Sequence, residues 1–288
     1  MIYSMTGYAM AAKEFAHGAL NVELRSVNHR YLDIQFRLPE DLRSIESALR
    51  ELLTAKLNRG KIECRVSFSA AAGTDRTPDL DAALLQQVIA LNTRVRTAFP
   101  AGESLSVSDI LHWPGILSTD TLPVEELKAA CSALLLTVLD EFTAARSREG
   151  EKLKEMLLER AATMEKRVAE IAPRMPGIVA AFREKLAARL REAMASDDDE
   201  RIRQEITLFA NKIDVDEELT RLTAHIGELR RILAKGGAVG KRLDFLMQEL
   251  NREANTLGSK SVDITATQIA MDLKLLIEQM REQIQNIE

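Results

Sequence analysis

Apolar and polar positions change period along the chain, and the changes mark its elements. From Tyr3 to Arg37 they alternate through ALNVELRSVN and YLDIQFRLP, with a turn expected at His17–Gly18, which predicts half-buried strands. Pro39 closes this stretch. Leu42, Ile45, Leu49, Leu52, Leu53 and Leu57 then repeat at helical spacing over 40–58, stopped by Arg59–Gly60. KIECRVSFSA (61–70) returns to strand, AAAGTDRTPD (71–80) reads as a linker, and two helical stretches flank an HWPG turn at 112–115.

From Pro123 to Ala172 the helical period persists for almost fifty residues, as in an extended hairpin arm or coiled coil. Pro173 and Pro176 break it before a helix over 177–195 and the acidic SDDDE at 196–200, whose Ser and Asp residues suit a helix start. Helices are expected over 200–234, 241–257 and 263–285, separated by KGGAVG and GSKSVD. The class is α+β: an N-terminal mixed strand and helix domain (1–120), a long helical arm (121–199) and an all-α C-terminal domain (200–288).

Composition agrees with that division. The 288 residues are 46% hydrophobic, 29% charged and only 4% aromatic, which favours long packed helices over a sheet-rich core. Cys64 and Cys131 have no further Cys or nearby His at ligand spacing, so neither a disulfide framework nor a zinc knuckle is indicated; buried thiols in a reducing compartment are expected. No secretory signal pattern opens the chain, and the longest apolar run, ALLLTVL, falls short of a membrane span, so the expected location is the cytoplasm with no membrane partner. Net charge is −5, yet residues 1–70 hold ten Lys or Arg against eight Asp or Glu. Such a basic end on an acidic chain is compatible with nucleic acid.

The candidate chemistry lies in the C-terminal helices. At roughly 100° per residue, Leu243, Leu246, Met247, Leu250, Ala254 and Leu257 form one apolar stripe. Arg242, Glu249, Glu253, Thr256 and Lys260 run down one flank, and Asp244, Gln248, Asn251 and Asn255 down the other. Glu249 and Glu253 are one turn apart, where like charges repel, so a metal ion, an arginine or a polar substrate is expected beside them. In the preceding helix Asp214, Glu218, Arg221 and His225 share a narrow sector next to an apolar stripe of Leu219, Leu222, Ile226, Leu229 and Leu233. If the two helices pack flank to flank, Glu218, His225, Glu249 and Glu253 converge into a carboxylate and imidazole site suited to Mg²⁺ or Mn²⁺, with Asp244 in reserve. The plainer alternative is a ladder of ion pairs, with His225 a structural residue.

Arg25, His29, Arg30, Arg37, Arg59, Lys61 and Arg65 supply cations on the N-terminal strands and turns; Arg25 and Arg37 share a strand face that Arg30 does not. They serve either as phosphate ligands or as partners of Glu23, Asp33 and Glu63. The KGGAVGKR loop is not a phosphate-binding P-loop: only three residues separate Gly236 from Gly240–Lys241, no Ser or Thr follows, and no strand precedes it. Trp113 is expected to anchor its turn. Phe245 points about 160° from the apolar stripe of its helix and needs cover from another subunit or from the N-terminal domain.

Several strings are distinctive together: MIYSMTGYA, LRSVNHRYLDIQFRLPE, LNRGKIEC, DILHWPGIL, KIDVDEELTRLTAHI, KRLDFLMQELNREANTLGSKS and EQMREQIQNIE. In this order the chain resembles the YicC-like family of bacterial proteins, over both ends and most of what lies between. The resemblance implies a cytoplasmic, divalent-metal-dependent endoribonuclease that assembles as a ring-like homo-oligomer, a hexamer, and acts in RNA turnover and stress responses. Its C-terminal pattern falls on Glu217, Glu218, Arg221, His225, Arg242, Asp244, Gln248, Glu249, Arg252, Glu253, Asn255, Thr256, Ser259 and Lys260. Its N-terminal pattern falls on Ser4, Thr6, Gly7, Arg25, Ser26, Asn28, His29, Arg30, Tyr31, Arg59, Gly60 and Lys61. The resemblance does not say which acids hold metal.

The reading that follows is a metal-dependent endoribonuclease with Glu218, His225, Glu249 and Glu253 as ligands and catalytic groups, and Asp244 as a further ligand. Arg25, His29, Arg30, Arg59, Lys61, Arg252 and Lys260 hold RNA phosphates. The alternatives are a non-catalytic RNA-binding adaptor and a structural oligomeric scaffold.

Overall fold

The structure, a computed structural model, describes residues 1–15, 18–70, 79–118, 124–194 and 199–288. The N-terminal alternation becomes strands β1 (Gly7–Phe15), β2 (Gly18–Val27), β3 (Leu32–Arg37) and β4 (Gly60–Ala70). They form one sheet in the order β1-β2-β4-β3, antiparallel except for the β3–β4 pair, whose parallel connection runs through a 3₁₀ turn (Glu40–Ile45) and helix α1 (Glu46–Lys56). Leu20, Val22, Leu24, Ile62, Cys64 and Val66 point inward by the two-residue period, onto Leu49 and Leu53 of α1. His17 of the expected turn, most of the 71–80 linker, Pro123, and residues 196–198 of the acidic stretch lie outside the described residues.

The excursion from residue 79 to 118 carries helices α2 (Ala82–Ala98) and α3 (Val107–Leu111) and is closed by a two-residue ribbon, β5 (Asp79–Leu80) with β6 (Leu117–Ser118). Strands this short leave no period to read. The HWPG turn forms there, with the Trp113 carbonyl accepting from the Ile116 N–H at 3.1 Å.

The almost fifty-residue pattern is one helix, α4 (Val124–Ile171), ended by a 3₁₀ turn that contains Pro173. Pro176 falls in the first turn of α5 (Met175–Met194), where its missing N–H costs nothing. Leu135, Val138, Leu139 and Phe142 of α4 complete the core beneath the sheet. Farther along the same helix, Leu157, Ala161, Met164 and Ile171 enter a second core, shared with α7 (Asp216–Lys235), α8 (Gly240–Lys260) and α9 (Ile264–Ile284). The single helix expected over 200–234 is two, α6 (Asp199–Lys212) and α7. The Asp214 carboxylate accepts the Asp216 N–H at 3.1 Å, a local bond that competes with the helical ladder, while Ile213 and Val215 are buried at the bend. α8 runs three residues past its expected end, to Lys260, with Gly258 in ordinary contact with Ala270 of α9.

Residues 1–6 strap the two cores together. The Met5 N–H donates to the Asn286 carbonyl at 2.7 Å, the Ser4 N–H to the Arg146 carbonyl at 3.0 Å and the Gly237 N–H to the Met1 carbonyl at 3.0 Å. Arg146, buried in the middle of α4, donates from Nε to the Ser4 carbonyl at 2.5 Å and from its guanidinium to the Glu288 carboxylate at 2.5 Å. Gly150, one turn on, has no room for a Cβ, which would collide with the Ile2 carbonyl.

Both cysteines are free and buried in the sheet core. Burial, together with the charge of Cys131, pushes the Cys64 thiol up to about 12; burial alone pushes Cys131 up to about 11.

Candidate metal centre

The loop between α7 and α8 turns at Gly236 and Gly237, with φ of +66° and +91°, values that glycine takes without strain. So short a reversal lays the helices antiparallel, with their apolar stripes together, and two ion pairs fix their register. Near the loop Arg242 pairs with Glu228; at the far end the Lys260 ammonium donates to Glu218 at 2.8 Å.

Between those pairs His225 of α7 meets Glu249 and Glu253 of α8. One ligand atom from each lies within 4.8 Å of the others. Glu253 is buried, whereas His225 and Glu249 are half-buried and open to solvent. Two donors on opposite sides of an ion bound at about 2.1 Å stand about 4.2 Å apart, so small side-chain rotations bring these atoms onto one cation. Two carboxylates suit a hard divalent ion, and the imidazole extends the set toward Mn²⁺. The charge beside Glu253 is Arg221, whose guanidinium lies 3.6 Å from it and also pairs with Glu217.

Of the four side chains that the helical wheel directs toward one point, three therefore meet. Glu218 lies two turns from His225 along α7 and is engaged by Lys260; its second carboxylate oxygen is buried with no hydrogen-bond partner. Asp244 lies on the opposite flank of α8, where it accepts from Gln248 at 3.2 Å and faces Arg281 of α9 at 3.9 Å.

The cations occupy three places. Arg25 and Lys61 stand on the outer face of the sheet, where Glu23, Arg25, Arg37, Glu63 and Arg65 line a pocket of about 250 Å³, and Arg37 pairs with Glu63 at 2.6 Å. His29, Arg30 and Arg59 belong to the β2–β3 connection and the start of β4. There Arg59 Nε donates to the His29 carbonyl at 3.0 Å, and His29 Nδ1 lies 3.0 Å from the Tyr31 carbonyl. Arg252 is exposed on α8, while the Lys260 ammonium is held by Glu218 and the Asp214 carbonyl. Two groups are beyond the reach of the sequence pattern: Arg146, which no local period marks, and Lys241, which tertiary packing brings to Arg30 and Arg59. Phe245 is 63% exposed, so its own N-terminal domain does not cover it.

Residues 2–155 match the family described as "Endoribonuclease YicC-like, N-terminal region", and residues 171–288 the family described as "Endoribonuclease YicC-like, C-terminal". The chain is 41% identical over 288 residues to a protein of Haemophilus influenzae named "Probable endoribonuclease YicC", with the whole of both chains covered. It is 32% identical over 293 aligned positions to a protein of the same name from Clostridioides difficile, again over the whole of both chains. No helix among the described residues is long and apolar enough to cross a membrane.

Proposed function

This chain belongs to the YicC-like endoribonuclease family, and on that premise we propose that it cleaves RNA internally, using a divalent ion, Mn²⁺ or Mg²⁺, held by His225, Glu249 and Glu253. The observation that carries the reading is the convergence of those three donors, from two helices, within 4.8 Å. A divalent ion there supplies Lewis acidity toward a phosphoryl oxygen and lowers the pKa of a water.

The residues of the chain do the rest. Glu249 and Glu253 supply the negative charge that draws a cation between α7 and α8. His225 either ligates through one ring nitrogen or acts as a general acid or base. Arg221, half-exposed beside Glu253, is placed to take up charge developing on the phosphate. Arg252 on α8 and Arg25, His29, Arg30, Arg59 and Lys61 on the N-terminal domain hold backbone phosphates, so binding weakens as salt rises. Glu218 keeps Lys260 in place at the far end of the hairpin. The role this suits is RNA turnover.

A second reading draws on the Arg221–Glu253 pair: carboxylates that only bridge arginines would leave an RNA-binding adaptor without chemistry of its own. Incubating a labelled structured RNA with wild type, Glu249→Gln and His225→Ala, in Mn²⁺, Mg²⁺ or EDTA, separates the two. Metal-dependent cutting that both variants lose while they still bind RNA supports the nuclease. RNA binding without cutting in any metal supports the adaptor, and equal cutting by all three proteins removes the cluster from the chemistry.

A further inference from the structure

The α7–α8 loop comes to rest against the β2–β3 connection, and together they enclose a cleft of about 490 Å³. Arg30 and Arg59 line one side and Lys241 the other, and none of the three has an ion-pair partner among the described residues. Glu288, the acidic residue of the lining, is already engaged: its side chain by Arg146, its backbone oxygen by the Val239 N–H at 3.2 Å. Three cations therefore face the cleft against one acidic residue whose side chain is already paired. α8 begins here too, and no side chain caps its first turn.

One wall is aromatic. Tyr31 is 64% exposed, with the Arg30 guanidinium 5.3 Å from its ring centroid. Leu32 and Ala238 add apolar surface. Cations grouped beside an exposed aromatic face match the two halves of a nucleotide, an anionic phosphate and a stacking base. The volume lies within the range of about 300–1,000 Å³ usual for small-ligand sites.

We propose that this cleft binds one nucleoside phosphate, with the phosphate between Arg59 and Lys241 and the base on Tyr31. The ligand is either a free mononucleotide or a nucleotide of an RNA strand. The second source rests on the reading of the chain as an RNA-cleaving protein; the nucleotide chemistry of the cleft does not.

The test is calorimetric titration of the full-length protein in EDTA, so that the His225 cluster takes no part, with AMP, adenosine, and a tetranucleotide carrying either a 5′ phosphate or a 5′ hydroxyl. The expected result is saturable binding, one ligand per chain, by AMP or by the oligonucleotides, none by adenosine, and at least tenfold weaker binding in Tyr31→Ala and in Lys241→Ala. Both residues are exposed, and a thermal melt shows that the variants remain folded. AMP binding identifies a free nucleotide; binding by the oligonucleotides alone identifies the strand. The proposal is overturned by no saturable binding from any phosphate ligand, or by unchanged affinity in both variants. If AMP binds but RNA is never cut, the cleft stands and the nuclease reading falls.

Discussion

Arg221 holds its guanidinium 3.6 Å from the buried carboxylate of Glu253, on the same side as His225 and Glu249. An arginine and the proposed divalent ion would therefore draw on one carboxylate. Removing the arginine leaves more negative charge for the ion, so Arg221→Ala is expected to bind Mn²⁺ at least as tightly as wild type while cutting RNA more slowly. Calorimetry and single-turnover cleavage measure the two effects separately. Weaker Mn²⁺ binding in Arg221→Ala contradicts this arrangement.

Binding to the folded state alone raises stability by mass action, about 2.7 kcal/mol at one hundred times the dissociation constant. Mn²⁺ should accordingly raise the melting temperature of wild type and have little effect on a His225→Ala/Glu249→Gln/Glu253→Gln triple variant. An equal rise in both proteins places the ion elsewhere.

Glu218 is nearly buried, and Lys260 is the cation that reaches it. Lys260→Met strands that carboxylate and is expected to cost about 2 kcal/mol or more. Adding Glu218→Gln should recover a substantial part of the loss. Urea midpoints of wild type, both single variants and the double variant provide the cycle, and additive losses exclude coupling between the two residues.

Gly150 and Gly227 make opposite predictions for the same change. A Cβ at Gly150 meets the Ile2 backbone, so Gly150→Ala should destabilise by about 1–3 kcal/mol through overpacking. No atom lies within 4 Å of a Cβ at Gly227, inside α7, so Gly227→Ala should stabilise by about 0.5–1 kcal/mol. Matching midpoints for the two variants would mean that the strap does not press on α4.

Cys64 and Cys131 set a slope at alkaline pH. Their folded values of about 12 and about 11 stand above the ordinary 9.0. Below pH 9 both thiols are protonated, folded or unfolded, and the stability they favour is fully present. Above it the unfolded chain loses its protons first, so stability falls as pH rises toward 11–12, by up to about 1.4 kcal/mol per pH unit for each thiol. The urea midpoint of a Cys64→Ala/Cys131→Ala variant should fall less steeply between pH 9 and 10.5 than that of wild type. Parallel slopes would rule out a thiol contribution.

The meeting of His225, Glu249 and Glu253 was legible in the sequence because two strong helical periods joined by a glycine-rich reversal leave few ways to pack. The same wheel directed Glu218 to that point and missed, because in an antiparallel pair each step back along α7 moves the facing position one step forward along α8, so Glu218, seven residues before His225, faces Lys260. Asp244 was on the other flank by its own period, and it stays there. Arg146 was illegible, since its value comes from Ser4 and Glu288, 142 positions away in each direction. Lys241 was visible only as part of a failed phosphate loop, and its place beside Arg30 and Arg59 depends on how the two cores sit against each other.

α4 belongs to both cores, and its 48 residues span about 72 Å without a break. It acts as a beam between them. Over that length a tilt of about 5° moves the far end by about 6 Å. A load placed on the sheet therefore reaches α7, and His225 upon it, as leverage through a stiff member rather than as slack in a linker.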